Sequence, residues 1–219
     1  GFFPLRSENA KSHSHKDLKE FYHIYHWGRY PKEISSKSKI LFGKLVSFAS
    51  ELLSWVDSNI NKDVANKLSI PLMDMIDGSE SNLMRIIHYP PLIGTDHNKE
   101  VRAAAHEDIN LLTLLCGSNE PGLQALDNDG KWHDIIAKPN TISVNSGDML
   151  NMCTEGFFPS TTHRVVNPDI TNMKKNVSRF SIPVFLHPRH DVMLKKGYTA
   201  GQYLNDRLNE IGLKKTTKV

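Results

Sequence analysis

Two cysteines in 219 residues, a formal net charge of only +3 and no long apolar run leave this chain few of the simple signatures of function. Cys116 and Cys153 each stand in an apolar, strand-like run, and neither spacing fits a zinc or redox motif, so buried thiols in a reducing compartment are expected. No stretch approaches the roughly 20 apolar residues that cross a bilayer, and the N-terminus shows no basic-then-apolar leader. The expectation is a cytoplasmic protein without a membrane partner. Part of the positive charge comes from Lys214, Lys215 and Lys218, a solvated tail rather than a nucleic-acid patch, so no nucleic-acid or protein partner is implied. What remains is a length suited to one sizeable core, expected as a single domain over 1–219.

The chain divides into a helical front and a β-rich remainder. Residues 1–36 are turn-prone, with several Ser, Asn, Pro and His. Leu41, Leu45, Phe48, Leu52 and Val56 then recur every three or four residues and predict an amphipathic helix. A second helix is expected over Asp63–Met75, interrupted near Pro71, whose ring removes an amide donor. Asp77-Gly78 ends this front, about 37–77. Short strands follow at 83–89, 101–109, 111–116, 122–127, 131–136, 141–145, 162–167 and 178–186. Asn128-Asp129-Gly130 is the clearest hairpin turn, and Ser146-Gly147-Asp148 makes another. Eight short strands at 83–187 predict a mainly β fold with flanking helices and a double-stranded β-helix (jelly roll) core. Thr199-Ala200-Gly201-Gln202 has capping-box spacing and opens a C-terminal helix at about 199–212, with Leu204, Leu208 and Ile211 on one face and Gly212 at its end.

Within the strands, His106, Asp108 and His163 carry the chemistry. Alternation along a strand sends His106 and Asp108 to one side and Glu107 to the other, and His163 lies in a later β-branched run able to close the site from across a sheet. Two imidazoles and a carboxylate suit a mid-series divalent metal and leave three octahedral positions open, the pattern of iron oxygen chemistry. A zinc hydrolase would place its two histidines at i, i+4 on a helix. Arg179 and Ser181, again two apart, aim a guanidinium and a hydroxyl into one cavity, with Phe180 facing away. A planar fork and a nearby hydroxyl fit the distal carboxylate of 2-oxoglutarate.

HEDINLLTLL, VNSGDML, STTHRVVNP and RFSIPVFLHP together resemble the isopenicillin N synthase-like family of iron- and 2-oxoglutarate-dependent oxygenases, over most of the chain. GFFPLRSENA, DLKEFYHIY and MRIIHYPP resemble the segments that precede the metal motif in bacterial members. The resemblance implies His106, Asp108 and His163 as ligands of Fe(II), Arg179 and Ser181 as the cosubstrate clamp, and Tyr89 as a further donor to the cosubstrate. Ile87 departs from the family, whose plant members carry an Asn there, so one polar contact to the cosubstrate is missing. Because the chain begins at Gly1, the family's N-terminal strand and helix are expected to be missing, leaving a sheet edge uncovered.

The resemblance implies oxidation, most often hydroxylation, of a small organic molecule, with dioxygen consumed and succinate and carbon dioxide released. Two alternatives stay open: an oxidase like isopenicillin N synthase that does not use 2-oxoglutarate, and a non-catalytic metal-binding β-barrel. Loops at Gly94–Glu100 and Glu155–Pro159, the front helices and the C-terminal helix are expected to wall the pocket. His13, His15, His23, His26, His88, His97, His187 and His190 receive no metal role. Phe21, Tyr22, Tyr25 and Trp27 are packing residues that also stand where a barrel mouth could be lined.

Overall fold

The structure is a computed structural model that describes residues 1–8, 16–92, 101–136, 138, 140–168 and 177–210. Its front is not only helical. Strand β1 (Phe2–Phe3) pairs antiparallel with β2 (Glu20–Ile24), so the turn-prone segment 1–36 contributes two strands that its polar composition hid. Helix α1 (Lys37–Asn59) follows and buries Phe42, Leu45, Ala49 and Leu53. Leu41, Phe48 and Val56 of the expected stripe pack only partly, because the buried line runs one residue further round the helix. The second expected helix splits in two, α2 (Lys62–Ala65) and α3 (Leu72–Ile76), with Pro71 between them. The free amides of Leu72 and Met73 at the start of α3 donate to the Asp57 carboxylate of α1 at 2.9 and 3.0 Å.

From here β3 (Leu83–Tyr89), β4 (Ala103–His106), β5 (Leu112–Cys116), β6 (Leu123–Leu126), β7 (Trp132–Asp134) and β8 (Ile142–Ser146) follow the expected order. Helix α4 (Asp148–Cys153) stands where only a turn was expected, so Cys153 is helical rather than in a strand. Six residues are too few for periodicity to declare a helix. Next come β9 (His163–Val165), β10 (Arg179–Ser181) and β11 (Pro183–Leu186). The strand expected at 178–186 breaks at Ile182, before a proline that cannot donate to a ladder. A small hairpin of β12 (Met193–Lys195) and β13 (Tyr198–Thr199) leads into α5 (Ala200–Glu210). Thr199 and Gln202 cap α5 reciprocally: the Thr199 amide donates to Gln202 Oε1 at 2.8 Å and the Gln202 amide to Thr199 Oγ1 at 3.2 Å. Ile211 and Gly212 lie outside the described residues.

Two sheets make the jelly roll. The larger has the order β1-β2-β3-β11-β5-β8, with β10 also on β3; the smaller is β4-β9-β6-β7. The β6–β7 hairpin turns where expected, with Gly130 at φ +77°, a backbone that favours glycine. Alternation gives the larger sheet two unlike faces. Ile24, Met84, Leu114, Val184 and Leu186 are buried in one apolar cluster with α1, α3, α4 and α5. The opposite face carries Leu83, Arg85, Ile87 and Tyr89 of β3, Thr113 and Leu115 of β5, and Arg179, Ser181 and Phe185, all lining a cavity of about 980 Å³. Among the described residues no helix is long and apolar enough to cross a membrane.

Candidate metal centre

His106 ends β4, Asp108 lies just beyond it, and His163 opens β9, its register partner being His106. The strand expected at 101–109 is therefore shorter. Each imidazole is fixed by its own backbone: His106 Nδ1 donates to the Ala104 carbonyl at 2.7 Å and His163 Nδ1 to that of Thr161 at 3.0 Å. Protonation at Nδ1 leaves both Nε2 lone pairs free, and they lie 4.0 and 3.9 Å from Asp108 Oδ1. The three donor atoms fall within 4.8 Å of one another. Donors around one ion with bonds of about 2.1 Å are up to about 4.2 Å apart, so small side-chain movements let this set hold a single metal. Glu107 is exposed and outside this donor set, accepting a hydrogen bond from Thr162.

The Asp108 carboxylate is divided between two jobs. Its Oδ2 accepts from Thr113 Oγ1 at 2.6 Å and from Asn145 Nδ2 at 2.9 Å, which leaves Oδ1 facing the imidazoles. Asn110 Nδ2 in turn donates to Thr113 Oγ1 at 2.8 Å, so the threonine proton is committed to Asp108. Burial pushes the Asp108 carboxyl up, but His163, His106 and these two donors outweigh it, and the group stays ionised below the ordinary carboxylate range. Burial, joined by the neighbouring His163, lowers His106 and keeps it neutral. The turn after β8 must pass close by, with the Asp148 amide donating to the Asp108 carbonyl at 2.8 Å. Only glycine fits at 147, since a Cβ there would collide with Asn110.

Arg179 and Ser181 both point into the cavity and are 1 % and 5 % exposed, while Phe180 faces out and stacks on His88. Arg179 Nε donates to the Glu120 and Pro121 carbonyls at 3.1 and 3.2 Å, but its buried Nη1 has no partner among the described residues. A guanidinium buried with an unmet donor, and with no paired carboxylate among the described residues, is a ready seat for an anionic ligand. Tyr89, 3 % exposed, lies opposite Arg179 in the β10–β3 register, its ring centre 5.3 Å from the guanidinium carbon, and burial raises its phenol.

All six residues singled out from the sequence thus line one cavity. Other walls differ from expectation. Glu155–Pro159 does not reach it, because the turn after α4 carries Phe158 into the core instead. Gly94–Glu100, His13, His15 and His97 lie outside the described residues. His23, His187 and His190 do line it, as do Tyr25 and Trp27 at the rim and Leu204 and Leu208 of α5. Sequence reasoning missed Thr113, Asn145 and Asn110, although period-2 alternation along INLLTLL would have placed Thr113 on the cavity face. Missed too was a charged group in the same cavity, Glu8, Asp17, Lys19 and Arg85.

Residues 80–188 match the model of the 2OG-Fe(II) oxygenase superfamily. A crystal structure of a protein from Shewanella oneidensis described as an oxygenase is 45 % identical, with a TM-score of 0.84, covering 98 % of this chain and 76 % of that one. A Neurospora crassa protein solved in complex with alpha-KG is 26 % identical, with a TM-score of 0.72, covering 90 % of this chain and 67 % of that one. A 2-oxoglutarate-dependent dioxygenase of Didymella fabae is 32 % identical over 126 residues, 56 % of this chain but only 37 % of the fungal enzyme.

Proposed function

This chain belongs to the 2OG-Fe(II) oxygenase superfamily, and from that premise we propose that it is a dioxygenase dependent on Fe(II) and 2-oxoglutarate that hydroxylates a small organic substrate. The observation that carries the reading is the pairing, in one cavity, of a two-imidazole, one-carboxylate donor set with a buried guanidinium whose Nη1 is unpartnered. In this reading His106, Asp108 and His163 hold the iron, and Arg179, Ser181 and Tyr89 receive the remote carboxylate of 2-oxoglutarate. Bound together, the iron and the cosubstrate supply the oxidising chemistry, consuming dioxygen and releasing succinate and carbon dioxide.

The protein's own contribution is to orient. Backbone carbonyls at Ala104 and Thr161 fix the imidazole tautomers, and Thr113 and Asn145 hold one oxygen of Asp108 so that the other is presented. Arg179 is itself held by two backbone carbonyls, so its fork is set before a ligand arrives. Ile87, buried at 7 % beside this clamp, offers no hydrogen bond, which leaves the cosubstrate dependent on Arg179, Ser181 and Tyr89. No side chain is required as a general base.

An anaerobic titration of Fe(II) and 2-oxoglutarate into metal-free protein tests this. A visible charge-transfer band is expected, abolished by His163→Ala and weakened by Arg179→Ala, with succinate released when oxygen is admitted. A band that survives both substitutions rules the assignment out.

A further inference from the structure

The cavity holds a second guanidinium, and its surroundings are those of a binding fork. Arg85 projects from β3 on the same face as Tyr89, 16 % exposed at the side chain. Its guanidinium carbon stands 4.1 Å from the Phe21 ring centre and 5.4 Å from that of Phe185, and its Nε donates to His23 Nε2 at 2.8 Å. Held on both sides and at the base, the group turns Nη1 and Nη2 onto one carboxylate, that of Glu8, at 3.0 and 3.4 Å. Lys19 closes the cluster, 3.0 Å from Glu8 and 2.8 Å from Asp17, while Asp17 also accepts from the Ala104 amide at 3.2 Å.

Two distances separate this fork from the rest of the machinery. Along β3, Arg85 is four residues from Tyr89, about 13 Å between Cα positions at the usual rise per residue, so the two arginines start from different stations along the sheet. Across the sheet, β3 and β5 are separated by β11, which puts Arg85 about 10 Å from the strand whose Thr113 holds Asp108. Leu83, Phe185, Pro183 and Leu115 floor the space between. At its rim Tyr25 and Trp27 stack at 4.8 Å, and Trp27 remains 66 % exposed although it lines the cavity.

Resting on the dioxygenase reading, we propose that Arg85 anchors the substrate, that the substrate is an organic carboxylate with an apolar, aromatic body, and that Glu8 holds the place of the substrate's carboxylate. The charges agree. Glu8 and Asp17 face Lys19 and Arg85, two anions against two cations, and His23 stays neutral while it accepts from Arg85. Withdrawal of Glu8 leaves the wall one positive charge in excess, the complement of a monoanion. A carboxylate seated there sends its body over Leu83 and Phe185 toward the metal centre, with Tyr25 and Trp27 to stack on a ring.

The test uses the full chain as its anaerobic Fe(II)–2-oxoglutarate complex and offers it phenylalkanoic acids with one to four methylenes, each beside its amide. Shifts of the charge-transfer band and calorimetry read binding. At least one acid is expected to bind ten times or more tighter than its amide. Glu8→Gln is expected to raise acid affinity about 10-fold, and Arg85→Lys and Arg85→Gln to erase the acid preference. Equal binding of acid and amide, or no acid binding to either the wild type or Glu8→Gln, overturns the proposal. If the band itself never forms, the dioxygenase reading has failed, and calorimetry of the same acids still decides the anchor.

Discussion

Arg179 and Arg85 stand on one face of one sheet and line one cavity, yet their surroundings differ. Arg85 is fully occupied, with a carboxylate on its fork, an imidazole at Nε and a ring on each side. Arg179 is more deeply buried, touches two carbonyls and leaves Nη1 unmet. Burial of a cation without a carboxylate costs stability, whereas a compensated cluster holds its parts together. The contrast fits the proposed roles, Arg179 as a seat for the cosubstrate carboxylate and Arg85 as a fork on which Glu8 stands in for the substrate's carboxylate.

Substituting each arginine by methionine tests this directly. Arg179→Met is expected to weaken 2-oxoglutarate about 100-fold, about 3 kcal/mol, while leaving the melting temperature unchanged or higher, since an uncompensated buried charge is gone. Arg85→Met is expected to leave Glu8 and His23 without their partner and to lower stability by about 3 kcal/mol in urea unfolding, with a much smaller effect on 2-oxoglutarate. If both variants lose stability equally, the two sites are alike and the comparison fails.

Acid should undo the Arg85 end. Burial, then the Arg85 charge, lowers His23 to about 3 from an ordinary 6.5, so the unfolded chain takes its proton first and stability falls as pH drops from about 6.5 toward 3. Burial raises Glu8, but Arg85 and Lys19 more than offset it and hold it at about 2 against an ordinary 4.5, which adds a loss between about 4.5 and 2. Both groups release stability in the same direction. Glu8→Gln is therefore expected to flatten the lower part of the acid-unfolding curve, and an unchanged curve would remove Glu8 from the cluster.

The same contrast explains what the sequence disclosed. Arg179 and Ser181 are legible because two positions two apart in a strand share a face, and His106, Asp108 and His163 because few residue types make that donor set. Arg85 sits in an equally regular strand, but its meaning depends on Glu8, Lys19 and His23, which arrive from a polar segment that reads as turns. Thr113 and Asn145 are ordinary strand residues until the fold brings them to Asp108. Charge clusters assembled by tertiary contact leave no periodic trace, whereas strand faces do. Helix α4, six residues long, and the break at Ile182 escaped for a related reason, being too short for a repeating pattern to register.

Ser181→Ala gives the smallest and finest test of the proposed clamp. The hydroxyl is 5 % exposed, two residues from Arg179 on β10 and opposite Ile87, whose side chain offers no polar atom. If it donates to the same carboxylate as the guanidinium, its loss removes one hydrogen bond to a charged group, about 1.5 kcal/mol, or roughly 10-fold in 2-oxoglutarate affinity. Because the Arg85 fork is held by Glu8 and His23 and not by the serine, the variant should keep its acid-unfolding curve and its preference for carboxylate over amide ligands. A loss of that preference without a change in 2-oxoglutarate binding would show that the two ends had been assigned the wrong way round.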